Sequence, residues 1–290
     1  MNLKVLAAVG VLVLAQAAPE PLARRIARTE PSKFDKARGA HGGAGEMRYM
    51  TLLDTHALAT NFLFLHRGVI QPKGGIGHHF HNQMEEMFVI FDNEAEFTID
   101  GRTSRLKGPV GVPCRMGHSH ALYNPTEKPT QWMNIGVSSV KGKYDAFDLD
   151  DDRVGVSLDP KPVFITLRLD RKLLRPVEGM NGGKETVLYR RALGPEIFHT
   201  NWAYVDHALM PAGATIGSHR HAGVDEVYYV MEGEGSARIN AETAAIAKGA
   251  AVAVRSNEVH LFENTGRQEL ELLIIGVARE KGKLDTQDVP

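Results

Sequence analysis

One cysteine in 290 residues excludes an intrachain disulfide, so packing and bound ligands must hold this protein together. That cysteine, Cys114, reads as a small buried hydrophobe and is given no chemical role. A large charge of either sign is also missing: 34 basic and 35 acidic side chains leave a net charge of -1. No single-sign field exists to gather nucleic acid or anionic lipid, and neither is expected as a partner. Beyond the N-terminus no apolar run approaches the roughly twenty residues needed to cross a bilayer. Long stretches of period 3.6 are absent as well, which argues against a helical fold.

The N-terminus is the exception. Lys4 precedes an apolar run from Val5 to Leu14, and Ala15-Gln16-Ala17 supplies a small-x-small cleavage site before Ala18. Residues 1–17 therefore read as a secretory signal peptide, predicting a periplasmic or secreted protein with no membrane contact after cleavage. Arg24-Arg25 follows the apolar run, so it is no twin-arginine signal, and no cysteine follows the cleavage site for lipid attachment. Residues 18–45, with Gly39, Gly42, Gly43 and Gly45, read as an arm of low order.

What is present is a repeat. Asn61-Phe62-Leu63-Phe64 matches Asn201-Trp202-Ala203-Tyr204, and Ile76-Gly77-His78-His79-Phe80-His81 matches Ile216-Gly217-Ser218-His219-Arg220-His221, both at an offset of 140 residues. Glu86 with Glu226, Arg115 with Arg255, His120 with His260, Asn124 with Asn264, and Ile135-Gly136-Val137 with Ile275-Gly276-Val277 keep the same offset. Two copies of one folding unit are predicted, as domains over 46–142 and 195–282, joined across 143–194 by a linker with some structure of its own. Within each copy, short apolar runs of period two alternate with turn residues, the pattern of an all-β barrel or sandwich. Met87 to Phe91 before Asp92-Asn93, and Glu94 to Ile99 before Asp100-Gly101, are strand-then-turn pairs.

Each copy carries His-x-His, four further residues, Glu, and a third His 34 residues beyond that Glu. The sets are His79, His81, Glu86, His120 and His219, His221, Glu226, His260. Alternate residues of a strand share a face, so each His-x-His pair projects two imidazoles into one barrel interior. Three imidazoles and a carboxylate suit a divalent transition metal, Mn, Fe, Ni, Co, Cu or Zn, one per copy, with positions left open for a ligand. Any one of these histidines alone would be read as a hydrogen-bonded core residue. Four polar groups aimed into an apolar interior would cost several kcal/mol without partners, and the whole set recurs.

These motifs resemble the cupin superfamily, whose first motif runs Gly, five residues, His-x-His, three or four residues, Glu, six residues, Gly. Four residues separate Gly74 from His79 and five separate Gly213 from His219. Gly233 closes the second copy's motif, and Asn93 stands in that place in the first. The second motif, Pro-x-Gly, two residues, His, three residues, Asn, appears as Arg115-x-Gly117 with His120 and Asn124, and as Arg255-x-Asn257 with His260 and Asn264. These departures fall on turns and leave the ligands intact; Asn tolerates left-handed backbone better than most residues. The resemblance implies two tandem double-stranded β-helix (jelly-roll) barrels, a bicupin, and covers about two thirds of the chain.

The resemblance also implies chemistry of the quercetinase-like dioxygenase or oxalate decarboxylase-like kind. An oxidoreductase acting on a phenolic or small carboxylate or enolate substrate is expected, although no segment in the lid position announces the catalytic glutamate of a decarboxylase. The other reading is a non-oxidative sugar or uronate isomerase or lyase, or a small-molecule binder without turnover. Besides Glu86 and Glu226, the candidate catalytic residues are Arg115 and Arg255, which could aim a guanidinium at an anionic substrate, and His118 as acid or base. Surface turn positions are the plain alternative for all three. Glu85 and Asp225 should face outward by alternation, and Phe64, Phe88, Phe97, Tyr204 and Tyr228 read as core. The extra histidines of the first copy favour it as the reacting one, and the oligomeric state is left open.

Overall fold

The computed structural model describes residues 20–289, so the signal-peptide reading of 1–17 lies outside the described residues. The described chain folds as two antiparallel barrels, each a seven-stranded sheet facing a five-stranded one. In the first barrel the larger sheet runs, edge to edge, through Leu167–Arg168, Val110–Cys114, Met84–Ile90, Thr130–Ser138, Phe62–Ile70, Glu46–Leu53 and Asp35–Arg38. Its smaller sheet runs through Phe147–Asp148, Gly75–Phe80, Ser119–Tyr123, Glu94–Ile99 and Arg102–Lys107. The second barrel repeats this order, with Ile26–Arg28, Ala250–Val254, Val224–Glu232, Leu270–Ala278, Trp202–Met210, Thr186–Leu193 and Arg175–Glu178 opposite Glu242–Ala247, Glu234–Ile239, His260–Glu263, Thr215–Arg220 and Gln287–Asp288.

The turns are where the residue types require them. Glu94–Ile99 and Arg102–Lys107 close as a hairpin through Asp100 and Gly101, both at positive φ (49° and 76°), the geometry that Asp-Gly adopts most easily. Asn93 takes φ 51° where the second copy has Gly233 at 85°, and Asn257 takes 67° where the first has Gly117 at 84°. Both asparagines thus do what their glycine counterparts do.

The low-order arm over 18–45 and the linker over 143–194 need correction. Asp35–Arg38 is an edge strand of the first barrel, while Ile26–Arg28 crosses to pair with Ala250–Val252 of the second. Reciprocally, Leu167–Arg168 pairs with Val110 and Gly111 of the first barrel, and the strands over 175–178 and 186–193 belong to the second. Each copy lends its opening strand to the other barrel, and the repeat extends from the opening strands to the closing ones at 147–148 and 287–288. Apart from 186–193, these strands hide from a periodicity argument because they are two to four residues long and sit at sheet edges, held by main-chain pairing more than by apolar side chains. A turn over Ala40–Gly42, matched by Met180–Gly182, lies against the strand that carries each His-x-His pair. A Cβ on Gly77 would fall 2.0 Å from the His41 carbonyl oxygen, and one on Gly217 2.1 Å from that of Asn181, so only glycine admits this approach.

The two seven-stranded sheets pack back to back. Along Met84–Ile90, Met87 and Val89 join Val227, Tyr229 and Ile275 in one cluster between the barrels, while Phe88 and Ile90 fill the first barrel's own core. Trp202, fully buried in the shared cluster, would cost about 3–5 kcal/mol if cut to alanine. Glu85 does turn out of its barrel, as alternation predicts, but into the other one: it accepts hydrogen bonds from the main-chain N–H groups of His199 (2.7 Å) and Thr200 (2.8 Å). Asp225 returns the contact, accepting from the N–H groups of Ala59 and Thr60, both at 2.8 Å. No helix among the described residues is long and apolar enough to cross a membrane.

Candidate metal centres

In the first barrel His79 lies on the strand Gly75–Phe80, His81 one residue past its end, Glu86 on Met84–Ile90, and His120 directly across from His79 in register. The second barrel places His219, His221, Glu226 and His260 in the same way, with His260 across from His219. Both quartets are buried, and within each the candidate ligand atoms lie within 4.8 Å of one another.

The hydrogen bonds orient the rings outward-in. His79 Nδ1 meets the Gly77 carbonyl (2.8 Å) and His81 Nδ1 that of Asp145 (2.6 Å). With the proton on Nδ1, each Nε2 presents a lone pair to the centre. His120 Nε2 stands 3.0 Å from His79 Nε2 and 3.1 Å from His81 Nε2, and Glu86 Oε2 is 3.5 Å from it. At most one proton can serve that set of nitrogens, whereas a divalent cation satisfies all of them. In the second barrel all three Nδ1 atoms face carbonyls, of Gly217, Asp285 and Glu258. His221 Nε2 and His260 Nε2 are buried without a hydrogen-bond partner, 3.3 and 2.9 Å from Glu226 Oε2. The donor sets therefore fit one metal ion per barrel.

Protonation follows burial and charge. Burial, then the neighbouring His120, depresses His79 to about 2, and burial takes His120 to about 4, so both are neutral ligands near pH 7. Burial alone would raise Glu86 and Glu226, but the histidines beside them hold both carboxylates well below the usual range. His219 falls to about 4 through burial; His221, where burial is outweighed by Glu226, rises to about 9.

Around these similar quartets the barrels differ. In the first, Phe88 stacks on His120 and His41 on His79, with ring centroids 4.2 and 4.0 Å apart. A cavity of about 500 Å³ opens onto His79 and Glu86. Tyr49, Phe64, Trp132 and Tyr144 wall it, His41, His66 and Asn134 bring polar atoms to it, and neither arginine nor lysine lines it. Asn134 donates to Glu86 Oε2 (2.9 Å), leaving its own Oδ1 buried without a partner. At the mouth His41 contacts Tyr144 Oη (3.3 Å) and Asp148 (2.7 Å). In the second, Tyr204 and Tyr228 donate to Glu226 at 2.8 and 3.2 Å. Asp206, where the first barrel has His66, is held by Tyr189 (2.6 Å) and Arg191 (3.1 Å), and the Arg191 guanidinium lies over the Tyr204 ring.

Three expected catalytic side chains stand elsewhere. His118 contacts Asp100 at 2.6 Å, Arg255 donates to the Ala57 carbonyl of the other barrel (3.1 Å), and neither these nor Arg115 line the cavity. They occupy the turn leading into the last ligand strand, and Arg255 there reaches a main-chain carbonyl across the seam between the barrels. Cys114 is buried, and burial keeps its thiol protonated. His41, His66, Asn134 and Tyr144 escape the motif search because they belong to no ligand pattern. The repeat holds a signal for them: their counterparts are Asn181, Asp206, Ile274 and Leu284, differences concentrated on one wall. Phe64, read as core, is instead a cavity wall.

A cupin domain model matches residues 206–276. The oxalate-binding protein of Thermotoga maritima is 33% identical over 99 residues, 34% of this chain and 82% of that protein. This chain is a member of the cupin superfamily. As a bicupin it shares its fold with a variant of Bacillus subtilis oxalate decarboxylase at TM-score 0.62, with 15% identity, over 91% of this chain and 79% of that one. Lactobacillus farciminis oxalate decarboxylase, in a formate complex, gives TM-score 0.62 with 14% identity over 91% of the bicupin and 88% of the enzyme. The Bacillus enzyme is described as having Mn(II) centres; in the bicupin the metal's identity is open.

Proposed function

We propose that this bicupin is a metal-dependent oxidoreductase of the dioxygenase kind, whose first barrel acts on a small phenolic or enolic compound. The carrying observation is the cavity over His79 and Glu86, aromatic on its walls and free of arginine and lysine. A metal held by His79, His81, Glu86 and His120 would polarise a substrate oxygen and, if redox-active, supply electron-transfer chemistry with oxygen. The residues around it suit a flat hydroxylated ring. Tyr49, Phe64 and Trp132 can sandwich such a ring by offset or edge contacts. His66, stacked on Phe64 at 4.2 Å and kept neutral by burial at about 4, makes no side-chain hydrogen bond among the described residues and can accept a hydrogen bond from a substrate hydroxyl. Asn134 Oδ1 offers a second acceptor.

A second reading rests on the relative named an oxalate-binding protein: the first barrel would hold a small dicarboxylate without oxygen chemistry. The absence of a lining cation speaks against a tightly held dianion there. The test is oxygen uptake by protein reconstituted separately with Mn, Fe, Ni, Cu or Zn, using a flavonol, a catechol and oxalate. The expected result is uptake with the phenolics and a redox-active metal, falling about a hundredfold in His66→Asn with metal content unchanged. Oxalate binding alone would favour the second reading, and turnover under nitrogen with Zn would favour an isomerase or lyase. We also propose export, on residues 1–17. Sequencing the mature N-terminus from the host tests it: Ala18 supports export, and a retained Met1 overturns it.

A further inference from the structure

The back of the strand Phe62–Ile70 faces a cleft of about 1160 Å³ between the barrels. His66 turns toward the metal cavity and Arg67, its neighbour, toward this cleft. Arg67 is 8% exposed and meets only neutral acceptors: Tyr229 Oη (2.9 Å), the Gly68 and Trp132 carbonyls (2.6 and 2.9 Å) and Gln131 Oε1 (2.9 Å). The guanidinium lies 4.7 Å over the Phe91 ring, and no carboxylate reaches it within 4.0 Å among the described residues. A buried cation without a counter-charge is costly unless an anion joins it.

The second copy shows what compensation looks like. His207, the counterpart of Arg67, contacts Glu271 at 2.7 Å, and Glu271, the counterpart of Gln131, also accepts from Arg171 at 2.6 Å. The first copy has glutamine where the second has that glutamate. Of the other acids in the cleft, Glu232 pairs with Lys248 at 2.6 Å, Asp170 lies 3.7 Å from Arg168, and Asp92, which accepts from the Gln131 N–H at 2.7 Å, forms no ion pair with Arg67. Lys107 and Lys172 on the rim form no ion pair among the described residues. Two donors remain side by side in the wall, the second Nη2 hydrogen of Arg67 and the Tyr229 hydroxyl, which accepts from Arg67 and is free to donate.

We propose that this cleft is a binding site for a small oxyanion, a carboxylate or sulfate group held by Arg67 and Tyr229, separate from both metal centres. The test is thermal unfolding of the metal-loaded chain titrated with succinate and with sulfate, against chloride at equal ionic strength. A saturable rise in Tm beyond that in chloride is expected. Gln131→Glu should supply the missing counter-charge 2.9 Å from Arg67, raising the basal Tm and abolishing the anion-dependent rise, while the chain keeps its two metal ions. Tyr229→Phe, which removes one donor without removing the ring, should weaken the anion severalfold. An equal rise for wild type and Gln131→Glu, or no rise beyond chloride in wild type, would overturn the proposal. Equal affinities of Tyr229→Phe and wild type would remove the hydroxyl from it.

Discussion

The first barrel's quartet borders an aromatic cavity; in the second, the glutamate of the same quartet is held by two tyrosines beside an Arg191–Asp206–Tyr189 network. Ligand positions, strand order and the carbonyls facing each His-x-His pair are shared, whereas the last histidine's Nδ1 faces a carbonyl only at His260, and the side chains around the ligands differ. His66 becomes Asp206, Phe64 becomes Tyr204 and Phe88 becomes Tyr228. Gly136 and Gly276 let both rings at positions 64 and 204 lie against the backbone, where a Cβ would meet each at 2.6 Å. The Phe64 ring walls a cavity, and the Tyr204 ring, with its hydroxyl, ties the glutamate. A duplicated site can thus keep its donor set in both copies while the side chains around it diverge.

The strongest test of this contrast removes each glutamate in turn. Glu86→Ala and Glu226→Ala should each lower bound metal from two ions per chain to one, by plasma mass spectrometry, but only Glu86→Ala should cost turnover, by about a thousandfold. Equal losses would mean that both barrels react.

Next in size is pH. His79 and His120, at about 2 and about 4, bind no proton near neutrality, so metal uptake by the first barrel should vary little with those groups above about pH 5. His221, at about 9, must lose its proton to bind, so uptake by the second should weaken about tenfold per unit below pH 9. Chelator competition on Glu226→Ala and Glu86→Ala, which isolate the first and second sites, reads the two profiles, and parallel profiles would break the contrast. The same shifts act on the metal-free fold with opposite sign. The His221 contribution is complete below its unfolded value near 6.5 and is lost as pH rises through about 9, whereas the buried neutral His79 and His120 oppose folding as pH falls below about 6.5.

The interlock should respond alike from both sides. Glu85→Ala and Asp225→Ala each strip the acceptor from buried main-chain N–H groups, at a cost of about 2–4 kcal/mol that denaturant unfolding would measure. A large cost on one side only would show that the barrels are not held reciprocally. The smallest effect expected is in the tyrosines that hold the second centre's glutamate. Tyr204→Phe with Tyr228→Phe should speed metal release from that barrel about tenfold, followed by chelator kinetics, and leave the first unchanged.

Much of this was legible in the residues. Period-two alternation puts His79 and His81 on one face, the Glu86 spacing adds a carboxylate from the next strand, and the constant offset doubles that evidence. The exchanged strands were legible only in part: Gly39, Gly42 and Gly43 repeat as Gly179, Gly182 and Gly183, yet glycines without an apolar pattern read as loop. Arg115, His118 and Arg255 drew attention by closeness in sequence to a ligand, and a turn residue's side chain need not follow its neighbour's direction.

By itself the sequence determined the all-β class, the duplication and the two sets of three histidines and a glutamate, because alternation and spacing are local properties of a strand. Only the tertiary structure decided which barrel receives each opening strand, that Glu85 and Asp225 latch the barrels together, and that a cavity borders one glutamate while two tyrosines hold the other. Those outcomes depend on which groups meet in space, from 22 residues apart in the chain for Tyr204 and Glu226 to 166 for Ala59 and Asp225, and burial, hydrogen bonding and charge act on that proximity.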